Sequence, residues 1–151
     1  MNWCVKTSLI LFCFSCVAMA EEEPRKLMDV PVAIGHGAEE IRIPIHSPEG
    51  LDQVVFEAEI AFRVDKQTLR LSSLHMDVFD DHGNPEMTID APLSHFDLKT
   101  LILTSDEPIR IRRPEVEVTG DKLVFDTQTR RGKLTGQVRV RLFTNLKEVK
   151  P

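Results

Sequence analysis

From residue 41 onward, apolar and polar positions alternate with a period of two. Ile41-Arg42-Ile43-Pro44-Ile45 opens the series, and Phe56-Glu57-Ala58-Glu59-Ile60-Ala61-Phe62-Arg63-Val64 continues it. Successive side chains of a strand point to opposite faces, so this alternation predicts strands with one buried side. It recurs at Leu69-Arg70-Leu71, Leu74-His75-Met76-Asp77-Val78, Met87-Thr88-Ile89-Asp90-Ala91, Ile109-Arg110-Ile111, Val116-Glu117-Val118, Leu123-Val124-Phe125 and Val138-Arg139-Val140-Arg141-Leu142. No helical stripe of comparable strength follows residue 40. Turn signals separate the runs at Asp80-Asp81-His82-Gly83-Asn84-Pro85, Ser105-Asp106-Glu107-Pro108, Arg113-Pro114, Gly120-Asp121 and Arg131-Gly132. Short strands at spacings of roughly ten residues indicate an all-β domain: a sandwich, barrel or jelly roll.

An internal repeat of about 30 residues lies over this pattern. Its anchor is a hydrophobic-Asp-x-x-Thr element, present as Val64-Asp65-Lys66-Gln67-Thr68, Phe96-Asp97-Leu98-Lys99-Thr100 and Phe125-Asp126-Thr127-Gln128-Thr129. The later copies agree further, with Ile109-Arg110-Ile111-Arg112 matching Val138-Arg139-Val140-Arg141. Each unit reads as strand, turn, strand. The Asp is expected to accept a bond from a backbone N–H two residues on, and the Thr to restart the extended chain. Such units cannot bury their faces singly, so they stack around a shared apolar interior.

The N-terminal 40 residues differ. Lys6 precedes an apolar run from Ser8 to Ala20 that ends in the small-x-small pattern Ala18-Met19-Ala20, the layout of a cleavable export signal over 1–20. At about 1.5 Å per residue this run covers about 20 Å of helix, short of the roughly 30 Å hydrocarbon core. Left uncleaved, it would act as an inner-membrane anchor. Cys16 lacks the aliphatic residue that a lipidation signal usually has three positions earlier, where Cys13 stands. Residues 21–40, with an acidic start, Pro24, Pro31 and Gly35-His36-Gly37, read as a flexible leader. The domain is expected over 41–146, with 147–151 as a tail.

Cys4, Cys13 and Cys16 all fall inside the signal, so an exported chain has neither a disulfide nor thiol chemistry. The formal net charge of −5 gives no support to a nucleic-acid partner. Trp3, Phe12 and Phe14 also precede residue 21 and Tyr is absent. That leaves Phe as the only aromatic and argues against stacking platforms for sugars or bases. Asp65, Asp97 and Asp126 read as turn caps in preference to calcium ligands. Asp80-Asp81-His82-Gly83-Asn84 lacks the alternate-residue acids and distal Glu of a calcium loop. His36, His46, His75, His82 and His95 show no zinc spacing. Neither a nucleophile motif nor a convergent polar site is present, so the expectation is no enzyme, no metal and no cofactor. Arg110, Arg112, Arg113, Arg139 and Arg141 fall opposite the apolar face, as a solvated surface that limits aggregation or as a contact for phosphate or an acidic partner.

The segment from Ser105-Asp106-Glu107-Pro108-Ile109, through Val118-Thr119-Gly120-Asp121-Lys122-Leu123-Val124-Phe125-Asp126, to Leu134-Thr135-Gly136-Gln137-Val138-Arg139-Val140 resembles the LptA/LptC/OstA family of lipopolysaccharide-transport proteins. The likeness covers about residues 54 to 143. It implies an antiparallel β-jellyroll folded into a V-shaped slit, with lipid A acyl chains in its apolar interior and units joined end to end across the periplasm. The chain departs from LptC-like members in a signal that looks cleavable, and it is short for a full LptA-like unit. On this reading Phe62, Leu71, Ile89, Phe96, Leu103 and Ile109 line the groove, together with Ile111, Val118, Phe125, Val138 and Val140. The last strand, Gln137 to Phe143, carries Val138, Val140 and Leu142 as an edge for strand addition onto another jellyroll transport protein. The alternative is a structural or adaptor β-domain of the cell envelope with a filled core and no lipid ligand, since a solid sandwich would alternate in the same way.

Overall fold

The computed structural model describes residues 27–143, which contain ten β-strands and no helix. The strands are β1 (Gly37–His46), β2 (Asp52–Arg63), β3 (Thr68–Phe79), β4 (Pro85–Asp97), β5 (Ile102–Ser105), β6 (Ile109–Arg113), β7 (Val116–Gly120), β8 (Lys122–Asp126), β9 (Arg131–Thr135) and β10 (Arg139–Leu142). The expected export signal, residues 21–26, the last expected domain residues 144–146 and the expected tail 147–151 lie outside the described residues.

Every pairing is antiparallel, and β1 to β4 pair in sequence order. Strand β4 then serves two neighbours. Its C-terminal part meets β5 through Phe96↔Leu103, and its N-terminal part meets β6 through Ile89↔Ile111. Beyond β4 the sheet divides into β5–β8–β9 and β6–β7–β10. The architecture is therefore a jellyroll of two leaves. Leaf I contains the ends of β1 to β4 nearest the Asp65 and Asp97 turns, with β5, β8 and β9. Leaf II contains the other ends of β1 to β4, with β6, β7 and β10.

A crease separates the leaves and can be followed strand by strand. The backbone is left-handed at Glu40, Ser73 and Gln137, with φ of 49°, 51° and 33°. Pro92 adds a position with no ladder donor. At this line the inward side chains step by three residues instead of two, from Ala58 to Ala61, from Leu71 to Leu74 and from Ala91 to Ser94. The passage from β7 to β8 does the same, from Gly120 to Leu123. A one-residue slip exchanges the two faces of a strand. Here it lets the sheet fold while both leaves keep their apolar sides inward. Phe56 of leaf II meets Phe96 of leaf I with ring centroids 4.7 Å apart and planes at 48°.

The core is built from both leaves, and Phe56, Phe96, Phe125, Leu69, Leu71, Met76, Ile89 and Leu103 are all fully buried. Each such side chain contributes about 1.5–3 kcal/mol by leaving water. The three repeat turns lie together at the far end of leaf I. Asp65 accepts from the Gln67 and Thr68 N–H groups at 2.7 and 2.8 Å, and Asp97 accepts from Lys99 and Thr100 at 2.8 Å each. Asp126 accepts from Gln128 and Thr129 at 2.9 and 3.1 Å.

Two expected boundaries move. The stretch read as a leader packs against the domain from residue 27: Met28 N–H donates to Leu98 O at 2.9 Å, Val30 enters the core, and β1 already begins at Gly37. Isolated valines between prolines carry no periodicity, which hid this contact from sequence. The last strand begins at Arg139 and ends at Leu142, because Gly136 and Gln137, both at positive φ, form the crease itself.

Candidate functional site

Along the inner face of leaf II one cross-strand row runs from the core to the open edge. Its members are Ile89 on β4, Ile111 on β6, Val118 on β7 and Val140 on β10, each directly opposite the next. Exposure rises along the row, from 0% at Ile89 to half-buried at Ile111 and Val118 and 61% at Val140. A neighbouring row repeats the trend, from half-buried Val116 to Leu142 at 71%. Leaf I presents Leu134 of β9 to the same region. A Cβ on Gly120 would stand 2.6 Å from the Leu134 Cγ, so the bare α-carbon is what lets Leu134 lie over the crease. The outcome is an apolar slit, filled at the β1–β5 side and open at β10.

Among the described residues strand β10 pairs only with β7, so one of its sides has no partner strand there. Phe143 N–H donates to Glu115 O at 2.9 Å. Antiparallel ladders alternate every second residue. The Arg139 and Arg141 N–H groups therefore turn toward β7, and those of Val140 and Leu142 face the free side.

The outer face of leaf II carries the arginines, and most are engaged. Arg112 reaches Asp90 at 2.7 Å, Arg113 reaches Glu86 at 3.4 Å, and Arg110 and Arg141 approach Glu117 at 3.9 and 3.7 Å. His75 joins this surface, 2.7 Å from Asp90 and 3.5 Å from Asp77. A shallow hollow of about 480 Å³ lies outside the crease between Pro92 and Pro108.

The residues expected to line a groove separate into three groups. Leu71, Ile89, Phe96, Leu103, Ile109 and Phe125 are buried members of a filled core. Ile111 and Val118 are half-buried in the slit, and Val138 and Val140 lie exposed at its rim. Phe62 is a correction: it shares the outer face with Arg70, whose guanidinium sits 5.1 Å from the ring centroid. The slip at Glu59 and Ile60 reversed the alternation that had placed it inward. Sequence reasoning also passed over Leu134, although its spacing to Gly136 in the Leu-x-Gly step was a usable signal. Ser94 was missed too: its Oγ is buried in the interior with no partner.

The acidic loop is a plain hairpin. Asp80 Oδ1 accepts the His82 and Asn84 N–H groups at 2.8 Å each. Those from Asn84, backbone and side chain, hold the Asp80 carboxyl below its ordinary value. Bonds from the Gln67 and Thr68 N–H groups lower Asp65 in the same way. At Asp97 burial pushes upward, but the Thr100 and Lys99 N–H groups outweigh it and the net shift is down. Among the described residues no group of His, Cys, Asp and Glu is arranged to hold a metal ion, and no helix is long and apolar enough to cross a membrane.

The family model described as Lipopolysaccharide-assembly, LptC-related, matches residues 47–143. The chain belongs to that LptC-related family. Its role is accordingly in lipopolysaccharide transport, in a family of envelope-associated carriers that are not enzymes. The match runs from the loop before β2 through β10, so β2 to β10 and the slit lie within it, while β1 and residues 27–36 precede it. No curated protein matches the chain.

Proposed function

We propose that this LptC-related chain is an exported periplasmic carrier or bridge component that holds lipopolysaccharide by its acyl chains. The apolar row from Ile89 to Val140 carries this reading, because it continues the core out to a free edge with no polar interruption. Saturated chains need an apolar lining with polar groups kept to the rim. The free side of β10 then docks on the next jellyroll by strand addition. The charges of the two edges support end-to-end joining: Glu39 and Glu40 on β1, against Arg131 and Lys133 on β9 and Arg139 and Arg141 on β10.

A second reading has one observation in its favour. The filled interior around Phe56 and Phe96 suits an adaptor domain with no lipid ligand. Photo-crosslinking residues at Val118, Val140 and Val124, introduced singly in cells, separate the two. Val124 is 49% exposed but lies on the outer face of β8. A carrier gives lipopolysaccharide adducts from positions 118 and 140 and none from 124. An adaptor gives only protein adducts, or equal labelling at all three.

A further inference from the structure

Each leaf turns one face to the core and one outward, and the two outward faces are composed differently. On leaf II a row crosses β1, β2, β3, β4 and β6 through Arg42, Glu57, His75, Asp90 and Arg110, each directly opposite the next. Bases and acids alternate along it, with Arg42 3.3 Å from Glu57 and His75 2.7 Å from Asp90. Opposite charges on adjacent strands stabilise the sheet that carries them, so the fold itself accounts for these residues.

On leaf I the outward row crosses β2, β3, β4, β5, β8 and β9 through Phe62, Arg70, His95, Thr104, Val124 and Lys133, and it contains no acid. At about 4.8 Å per strand it spans roughly 24 Å. Arg70 and Lys133 are exposed and make no ion pair among the described residues. The Arg70 guanidinium rests on the Phe62 ring, 5.1 Å from its centroid, a placement that leaves its N–H fork to take an anion. Val124 is 49% exposed, and Ile60, on the same face of β2 as Phe62, is 47% exposed. Acids stay at the margins of this face. Glu39 stands on the β1 edge, Asp106 lies 3.2 Å from Lys122, and the Oδ1 atoms of Asp97 and Asp126 are taken by turn N–H groups.

Basic and apolar side chains one strand apart call for two different surroundings, an anion and a hydrocarbon. An acidic protein surface would pair Arg70 and Lys133 but set its carboxylates against Ile60 and Val124. The surface of a bilayer with acidic headgroups offers both, with phosphates outermost and acyl chains just beneath them. Arg and Lys reach the phosphates on their apolar stems, while the short side chains between them enter the acyl boundary. We propose that the outer face of leaf I rests on a bilayer of acidic phospholipid, with Arg70 and Lys133 at the phosphates and Ile60, Phe62 and Val124 at the acyl boundary. The proposal does not depend on whether the slit holds lipopolysaccharide. Its occupant is phospholipid, so Val124 is still expected to give no lipopolysaccharide adduct.

The test uses the full chain with Cys4, Cys13 and Cys16 changed to Ser and one new cysteine carrying an environment-sensitive nitrobenzoxadiazole probe. Thr104→Cys puts the probe in the middle of the leaf I row, and Glu57→Cys puts it on the outer face of leaf II. With phosphatidylglycerol vesicles the probe at Thr104 should brighten and shift to the blue while the probe at Glu57 does not. Attachment through the N-terminal residues alone would not produce that difference. Phosphatidylcholine vesicles should leave both probes unchanged. In the chain labelled at Thr104, Arg70→Ala and Lys133→Ala should each raise the lipid concentration for half-maximal signal about fivefold, and Arg70→Lys should raise it far less. An equal response at the two positions, an equal response to the two lipids, or midpoints unmoved by both alanine changes overturns the proposal. A probe at Thr104 silent to both kinds of vesicle overturns it too, and a response to polyglutamate in their place would assign the face to an acidic protein.

Discussion

The interior around Phe56 and Phe96 and the rim around Val140 are written in the same alternation, yet one is sealed and the other half open. The difference is one of neighbours. Phe125 has β5 on one side and β9 on the other, while β10 has β7 and, among the described residues, no second neighbour. Burial here is a property of position in the sheet, and an apolar residue at the rim is left available for something other than folding. The comparison predicts a wide split in stability. Phe125→Ala should cost about 3–5 kcal/mol, the range for emptying a buried aromatic site. Val140→Ala should stay within about 0.5 kcal/mol, as an exposed substitution does. Urea unfolding of both variants measures this, and similar losses at the two positions would mean that the rim is closed in solution.

A smaller effect on folding, but a large one on assembly, is expected from Val140→Pro. The Val140 N–H faces the free side, so the change removes a donor available to a partner without breaking the ladder to β7. Circular dichroism should show a folded domain, and capture of jellyroll partners from the envelope should fall well below that of Arg139→Ala or Arg141→Ala. Capture at the unaltered level would place the docking surface elsewhere.

The smallest effect is expected from acid at the turns. The carboxyls of Asp65, Asp80 and Asp97 lie below the ordinary value of 3.8 in the folded chain. Their contribution is complete above 3.8 and is lost as pH falls through the lowered values. Thermal melts taken toward lower pH should show Tm declining in that window, and Asp65→Asn with Asp97→Asn should flatten the decline.

Much of this was legible in the chain. Eight of the ten strands follow the period-two runs, whereas β5 and β9 carry none and the Arg131-Gly132 turn signal falls at the start of β9. The Asp-x-x-Thr steps became capped turns with the Asp bonded to the N–H two residues on, because that chemistry is local. Phe62 shows what was not legible. From Phe56 to Val64 the alternation looks unbroken, but Ala58 and Ala61 are the inward pair, and Ile60 and Phe62 turn out. Nothing between Glu57 and Ile60 announces a slip, since the bend is imposed by the neighbouring strands at Ser73 and Pro92. The bonds from the Arg130 guanidinium to Phe79 O and Asp81 Oδ1 were invisible for a related reason: those partners are 51 and 49 residues distant. The last strand was read from the sequence as an edge, but the graded exposure from Ile89 to Val140 was not, because it depends on which strands lie alongside each residue.

The crease has a consequence for how such a chain can change length over evolution. Each strand that crosses it counts in one frame before the line and in another after it. Losing or gaining a single residue there in any one strand would turn half of that strand inside out, with its charges in the interior and its aliphatics in water. The hairpin loops at the far ends carry no such count. Insertions and deletions should therefore collect in those loops among related chains, while the distance from each loop to the crease stays the same.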